Sequence, residues 1–227
     1  MQRRSFLRSA GLTGLGVVAG ILAMPAPPDG PATDRAVAKT EPPPAAEGWT
    51  DTSIRSEDRT PIARYQYRRD GYRRSDPTFV PTAPINVVIV PATEAGGLER
   101  TMAVLDDAGW VSAPEEYTRY AWDRTTEEYV VQQATAAETY YGTSGRFHVR
   151  CWYFEGVVSM QAHEDAGPRP KHTVASYERG RRAMESIFDA AGWSVSPTAI
   201  DLGNDEAPDR DGRASLLIEP EPEAAGG

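Results

Sequence analysis

The sequence predicts an α+β fold: a mostly antiparallel sheet with two helices packed on one face, in a ferredoxin-like or related pseudo-symmetric layer. Three observations lead there. One short apolar run, two amphipathic stretches that end alike, and one long alternating stretch all fall between residues 84 and 193. Helices layered on one face of an antiparallel sheet accommodate that mixture.

The apolar run is "PINVVIVP", Pro84–Pro91. Its β-branched residues predict a buried strand. "GLERTMAVLDDAGW" predicts a helix with Leu98, Met102 and Leu105 on one face. Gly109 supplies the left-handed residue that ends it, and Trp110 the hydrophobic contact that follows. "SYERGRRAMESIFDAAGW" repeats the device, with Tyr177, Met184, Ile187, Phe188 and Ala191 as the stripe and Gly192-Trp193 as the stop. The ends "DDAGWVSAP" and "DAAGWSVSP" align without gaps, and each leads into a short strand. Tyr117–Trp122 and Tyr129–Gln133 are weaker strand candidates, and the polar stretch around 134–145 reads as a loop.

The alternating stretch begins at residue 147. Phe147, Val149, Cys151 and Tyr153 point one way; His148, Arg150, Trp152 and Phe154 point the other. After Glu155-Gly156 the alternation resumes, with Val158, Met160 and Ala162 apolar and Ser159, Gln161 and His163 polar. A two-residue turn pairs Phe154 with Val157, Trp152 with Ser159, Arg150 with Gln161 and His148 with His163. Such partners lie about 4.5–5.5 Å apart. A three-residue turn with a bulge would give another register. The histidine-bearing face is expected to add little to the core.

All three histidines of the chain fall in this window, His172 following in "GPRPKHT". Asp165 ends the second strand, and Glu178 lies in the first turn of the second helix. Three chemistries fit. Histidines with Asp165 or Glu178 could hold a divalent metal. Arg150 with the histidines could hold a phosphate or carboxylate, with one imidazole as general acid or base. A hydrogen-bonded structural cluster uses the same residues.

"PINVVIV", the "AGW" helix ends, "HVRCW", "AHED…KH" and "ER", in that order, resemble the LssY-like C-terminal domain over about Pro84–Trp193. That domain occurs attached to phosphatidic-acid-phosphatase-type membrane enzymes and also alone. The resemblance implies His148, Arg150, Trp152, Asp165, His172, Glu178 and Arg179 as the matching positions. It implies phosphate-ester or lipid chemistry by association. His163 has no counterpart in it, and Tyr177 stands where the pattern has an acidic residue.

The flanks read differently. Arg3-Arg4, then Phe6-Leu7 and an uncharged Gly/Ala-rich stretch from Ser9 to Pro28, predict a twin-arginine export signal over 1–26. A plain N-terminal membrane anchor is the other reading. Residues 27–48 read as a Pro/Ala-rich linker. One domain is expected over 49–200. Residues 201–227 carry eight acidic and two basic side chains and read as a disordered acidic tail. The chain holds 22 Arg and 2 Lys, with net charge −9, a balance resembling a halophile's. At molar salt the Debye length is about 3 Å, so a site there works by contact. Cys151 is the only cysteine, which excludes an intramolecular disulfide and a CxxC zinc site; it reads as a small buried hydrophobe.

"RYQYRRDGYRRSDP" interleaves arginine and tyrosine. It reads as a strand with Tyr inside and Arg outside, and export argues against nucleic acid. No Walker loop, HExxH, EF-hand or G-x-S-x-G pattern occurs. The expectation is an exported cell-envelope domain that binds, and in one version hydrolyses, a small anionic ligand or lipid head group. His148, Arg150, Asp165, His172 and Glu178 are the catalytic candidates; Trp152, Arg179 and His163 are the ligand-contact candidates. The competing expectation is a non-catalytic surface or accessory domain with structural histidines. The metal, the substrate and the oligomeric state are left open.

Overall fold

A computed structural model of the chain describes residues 46, 49, 60–71, 77–112, 117–139, 145–167 and 173–221. The export signal, most of the linker and His172 lie outside the described residues.

The elements are β1 (Tyr65–Asp70), β2 (Thr78–Pro84), β3 (Val87–Val90), α1 (Gly97–Asp107), β4 (Val111–Ser112), β5 (Tyr120–Asp123), β6 (Glu128–Val131) and β7 (Ala134–Ala137). They continue with β8 (Phe147–Phe154), β9 (Val157–Asp165), β10 (Val174–Ser176), α2 (Tyr177–Ala190), β11 (Ser194–Val195), β12 (Ile200–Asp201) and β13 (Arg213–Ile218). The fold is α+β, as the sequence predicts. Among the described residues no helix is long and apolar enough to cross a membrane.

The larger sheet runs β11-β13-β3-β9-β8-β7-β4, with β10 on β9 and β12 on β13. Its neighbours are antiparallel except β13 and β3, which are parallel. Both helices pack on one face. Leu105 from α1, and Met184, Ile187 and Phe188 from α2, share one core with Val149, Cys151, Val158 and Met160. Gly109 (φ 83°) and Gly192 (φ 84°) end the helices as expected, and Trp110 and Trp193 are buried behind them. Ala191, placed in the stripe by periodicity, is exposed at the helix end. The two strands after these ends, β4 and β11, close opposite edges of the sheet.

The other face of this sheet is covered, contrary to expectation. A second, antiparallel sheet of order β2-β1-β5-β6 lies over it. A second core of Ile62, Ile85, Ala121, Trp152, Leu202 and Leu216 joins the layers. The face carrying His148 and Arg150 is therefore interior, and both are about as buried as core residues. In β1 it is Gln66 that points inward; Tyr65 and Tyr67 are half-buried in an aromatic cluster with Tyr129 and Phe79. Ala134–Ala137, read as loop, is a strand because it pairs with Cys151–His148 of β8.

The acidic tail and the boundary at residue 200 are likewise overturned through residue 221. Leu216 faces the second core and Leu217 the first, which is why "LLI", Leu216–Ile218, is a continuous apolar run. Each leucine contributes about 1.5–3 kcal/mol by burial. The acidic residues around them have partners. Asp209 Oδ1 accepts the Tyr177 N–H at 2.8 Å, at the start of α2. Glu219 pairs with Arg100 of α1 at 2.7 Å and accepts the Ala92 N–H. Composition averaged over the segment hides this, because the charges complement a helix N-terminus and a helix arginine.

Candidate functional site

The site grows from the β8–β9 hairpin. Glu155 (φ 41°) and Gly156 (φ 83°) both adopt the left-handed region, the requirement of a two-residue type I′ turn. That turn fixes the register: Phe154 opposite Val157, Trp152 opposite Ser159, Arg150 opposite Gln161, His148 opposite His163. One more pair follows, since Asp165 N–H donates to Arg146 O at 2.9 Å. The inner face thus grades from apolar near the turn to ionic at the far end.

Two devices hold the far end in place. Asn86 is fully buried and acts as a missing strand residue. Its Oδ1 accepts the Ala162 N–H at 2.8 Å, and its Nδ2 donates to Ala162 O at 2.8 Å and Tyr177 O at 3.0 Å. Gly180 lets α2 lie directly on β9, because a Cβ there would stand 2.5 Å from His163 Cα.

A single hydrogen-bonded row runs through the polar pairs. Arg150 Nη1 donates to Gln66 Oε1 at 3.1 Å and to Gln161 Oε1 at 3.4 Å. Gln161 Nε2 faces His163 Nδ1 at 2.9 Å. His163 Nε2 faces Asp165 Oδ1 at 3.1 Å. Arg146 Nε donates to Asp165 Oδ2 at 2.9 Å, both side chains being only 4% exposed. Arginine only donates, so the Gln161 oxygen faces Arg150 and its nitrogen faces His163. In this arrangement His163 Nδ1 accepts, and Nε2 carries the proton donated to Asp165. The His148 ring meets His163 edge to face, with centroids 4.4 Å apart.

Arg150, Gln161 and His163 form one wall of a cavity of about 350 Å³. Gln66, Thr82, Tyr117, Arg119 and Tyr177 complete its polar lining. Among the described residues lining it there is no carboxylate. The Tyr177 hydroxyl is pushed up to about 12, first by burial and then by Glu206 and Asp209, so it stays a neutral donor. Arg119 sits on a pinned segment: Gln132 N–H donates to Arg119 O at 2.9 Å, and Gln132 Nε2 to Tyr117 O at 3.1 Å.

The expected residues divide as follows. Arg150 and His163 reach the cavity wall. Asp165 stands behind His163, and His148 lies beside it without lining the cavity. Trp152 is fully buried in the second core, where its Nε1 donates to Val130 O at 3.1 Å. Glu178 pairs with Arg181 and Arg182 on α2. Arg179 is 53% exposed and pairs with Glu164. The structure therefore does not bring Trp152, Glu178 or Arg179 to the cavity, and His172 lies outside the described residues. The Cys151 thiol is pushed up to about 12 by burial, so it is no nucleophile. Sequence reasoning missed Gln66, Arg119 and Arg146. Extending the hairpin register by one pair would have found Arg146; nothing local marks the other two.

His148, His163 and Asp165 also offer three ligand atoms within 4.8 Å of one another, all on buried side chains. Comparison with family models, with curated proteins and with solved structures found no match.

Proposed function

We propose that the domain binds a small anionic ligand, a phosphate ester or a lipid-derived head group, in the cavity walled by Arg150. The observation that carries this reading is the lining itself. Two guanidinium groups, two amides, two phenols, a hydroxyl and an imidazole face a space with no carboxylate among the described residues. A chain of net charge −9 gathers cations and neutral donors there. Arg150 is preorganised by Gln66 and Gln161 to grip one oxygen pair of an anion. Tyr177 donates a further hydrogen bond.

Hydrolysis is the further step of this reading. His163 is the acid/base candidate, because it lines the cavity and Asp165 orients it from behind. Its Nδ1 takes a proton only after Gln161 withdraws its own. Arg146 holds Asp165 in place through their ion pair. The competing reading, a non-catalytic accessory domain with structural histidines, draws on one observation: both nitrogens of His163 already have protein partners.

The resemblance of the motif order to the LssY-like C-terminal domain supports phosphate-ester or lipid chemistry. The twin arginines support export to the outer face of the membrane. The Arg-rich acidic composition supports a salty milieu. We read the helix-bearing sheet as related to the ferredoxin-like layer. What supports this is the chain order β3, α1, β8, β9, α2, with β9 between β3 and β8; β13 departs from it by running parallel to β3.

Calorimetric titration of orthophosphate and of a soluble phosphate monoester onto the full chain tests the proposal. Arg150→Gln is expected to weaken binding roughly ten- to a hundredfold, with the circular dichroism spectrum unchanged. No saturable binding of either probe, or equal binding by the variant, removes the cavity from consideration. Phosphate release that persists in His163→Gln removes His163 as acid/base.

A further inference from the structure

We infer that His148, His163 and Asp165 form a binding site for one divalent transition-metal ion of the zinc class, beside the anion cavity. The inference does not depend on the anion reading. It rests on ligand type, spacing and the surrounding hydrogen bonds. Two imidazoles and one carboxylate are a donor set that zinc and its neighbours accept. Their ligand atoms lie within 4.8 Å of one another, and all three side chains are buried.

The His163–Asp165 edge is already close to the separation a metal needs. His163 Nε2 and Asp165 Oδ1 stand 3.1 Å apart. Two ligands of a tetrahedral zinc, each about 2.0–2.1 Å from the ion, stand about 3.3 Å apart. An ion can replace the shared proton there with little movement. His148, ring to ring with His163 at 4.4 Å, supplies the third donor by a small shift.

The neighbours are those a metal site requires. A ligating histidine donates its other N–H to an acceptor, and a ligating carboxylate is held by hydrogen bonds. Arg146 already holds the second oxygen of Asp165. Gln161 already faces His163 Nδ1. Metal binding needs the Gln161 amide turned over, so that its oxygen accepts from Nδ1–H and Nε2 presents a lone pair. The contact given up is the one to Arg150, at 3.4 Å the longest in the row. Arg150 keeps Gln66 at 3.1 Å. The Gln161 amide is thus a two-position switch that selects the His163 tautomer.

Zinc titration of chelator-stripped full-length chain tests this, at high salt to suppress ions on the acidic surface. One saturable ion per chain is expected. Asp165→Asn and His148→Gln should each weaken it at least about tenfold. Gln161→Glu should tighten it about tenfold, because a carboxylate only accepts from Nδ1–H and can still pair with Arg150. Cobalt substitution gives a readout that needs no variant: visible bands of a four- or five-coordinate ion are expected. The inference is overturned by binding of several ions unaffected by Asp165→Asn, by no saturable binding, or by a cobalt spectrum identical to the hexaaquo ion.

Discussion

Asp209 and Tyr177 are 32 positions apart in the chain, yet the Asp209 carboxylate accepts the Tyr177 backbone N–H at 2.8 Å. Ser176, the N-cap of α2, donates its hydroxyl to the same carboxylate and accepts the Arg179 N–H at 2.8 Å. The C-terminal segment thus finishes the helix whose first residue, Tyr177, lines the cavity. Removing residues 205–227 takes away this cap and the whole of β13, whose Leu216 and Leu217 are fully buried. The truncated chain is expected not to fold cooperatively. Asp209→Ala alone should cost about 1 kcal/mol, the usual loss for a helix cap. Urea unfolding measures both; a truncated chain that melts like the full one contradicts the placement of β13.

Trp152 separates stability from binding. It lies on the same face as Arg150 but two pairs nearer the turn, inside the second core. Trp152→Phe keeps most of the apolar area and loses the Nε1 bond to Val130 O, for about 1 kcal/mol. Trp152→Ala should cost about 3–5 kcal/mol. Orthophosphate affinity of Trp152→Phe is expected to match the parent protein. A selective loss of affinity would place the indole in the ligand's path.

Much of this geometry was legible in the sequence. Period-two alternation on both sides of Glu155-Gly156 showed which residues share a face, because a slip of one position would turn every side chain over; the two-residue turn then selects the register. The two "AGW" ends were legible because a left-handed glycine followed by a tryptophan has a local cause. What covers the histidine face was not legible. A buried polar row and a solvated one give the same alternating pattern, and only β1 and β5, distant in sequence, decide between them. Gln66 and Arg119 reach the cavity through that second sheet, so no local periodicity marks them. The order of residues 201–221 was hidden for another reason: its acidic residues find partners far along the chain.

Gly180 tests how tightly α2 rides on the site. A Cβ at this position would meet His163 Cα at 2.5 Å, His163 N at 2.6 Å and Ala162 C at 2.7 Å. These are backbone atoms of a paired strand and cannot swing aside. Ala is the better helix former by about 1 kcal/mol, yet Gly180→Ala should destabilise by about 1–3 kcal/mol through overpacking. Its neighbour Ala183, also buried, is the contrast: Ala183→Gly should cost about 1 kcal/mol of helix propensity and about 0.8 kcal/mol for the lost buried methyl. Equal or greater stability of Gly180→Ala would show that α2 stands off β9.

Glu138 gives a pH dependence with a definite sign. It is buried beside β8, where its Oε2 accepts the Phe147 N–H at 3.3 Å. Burial raises its pKa above the ordinary carboxylate value; the Phe147 bond opposes this and the charge of Glu164 adds to it. An acid raised on folding holds its proton more tightly folded than unfolded. Stability from that proton is complete below the unfolded pKa and declines as pH rises through the folded one. At neutral pH the buried charge therefore works against the fold. Glu138→Gln removes the charge and keeps an oxygen for the Phe147 N–H. The variant is expected to melt above the parent protein at pH 7, with the difference shrinking to nothing near pH 4. Scanning calorimetry across that range measures it. A variant that is less stable at pH 7 would mean that the Glu138 carboxylate holds the β7–β8 edge together as an anion.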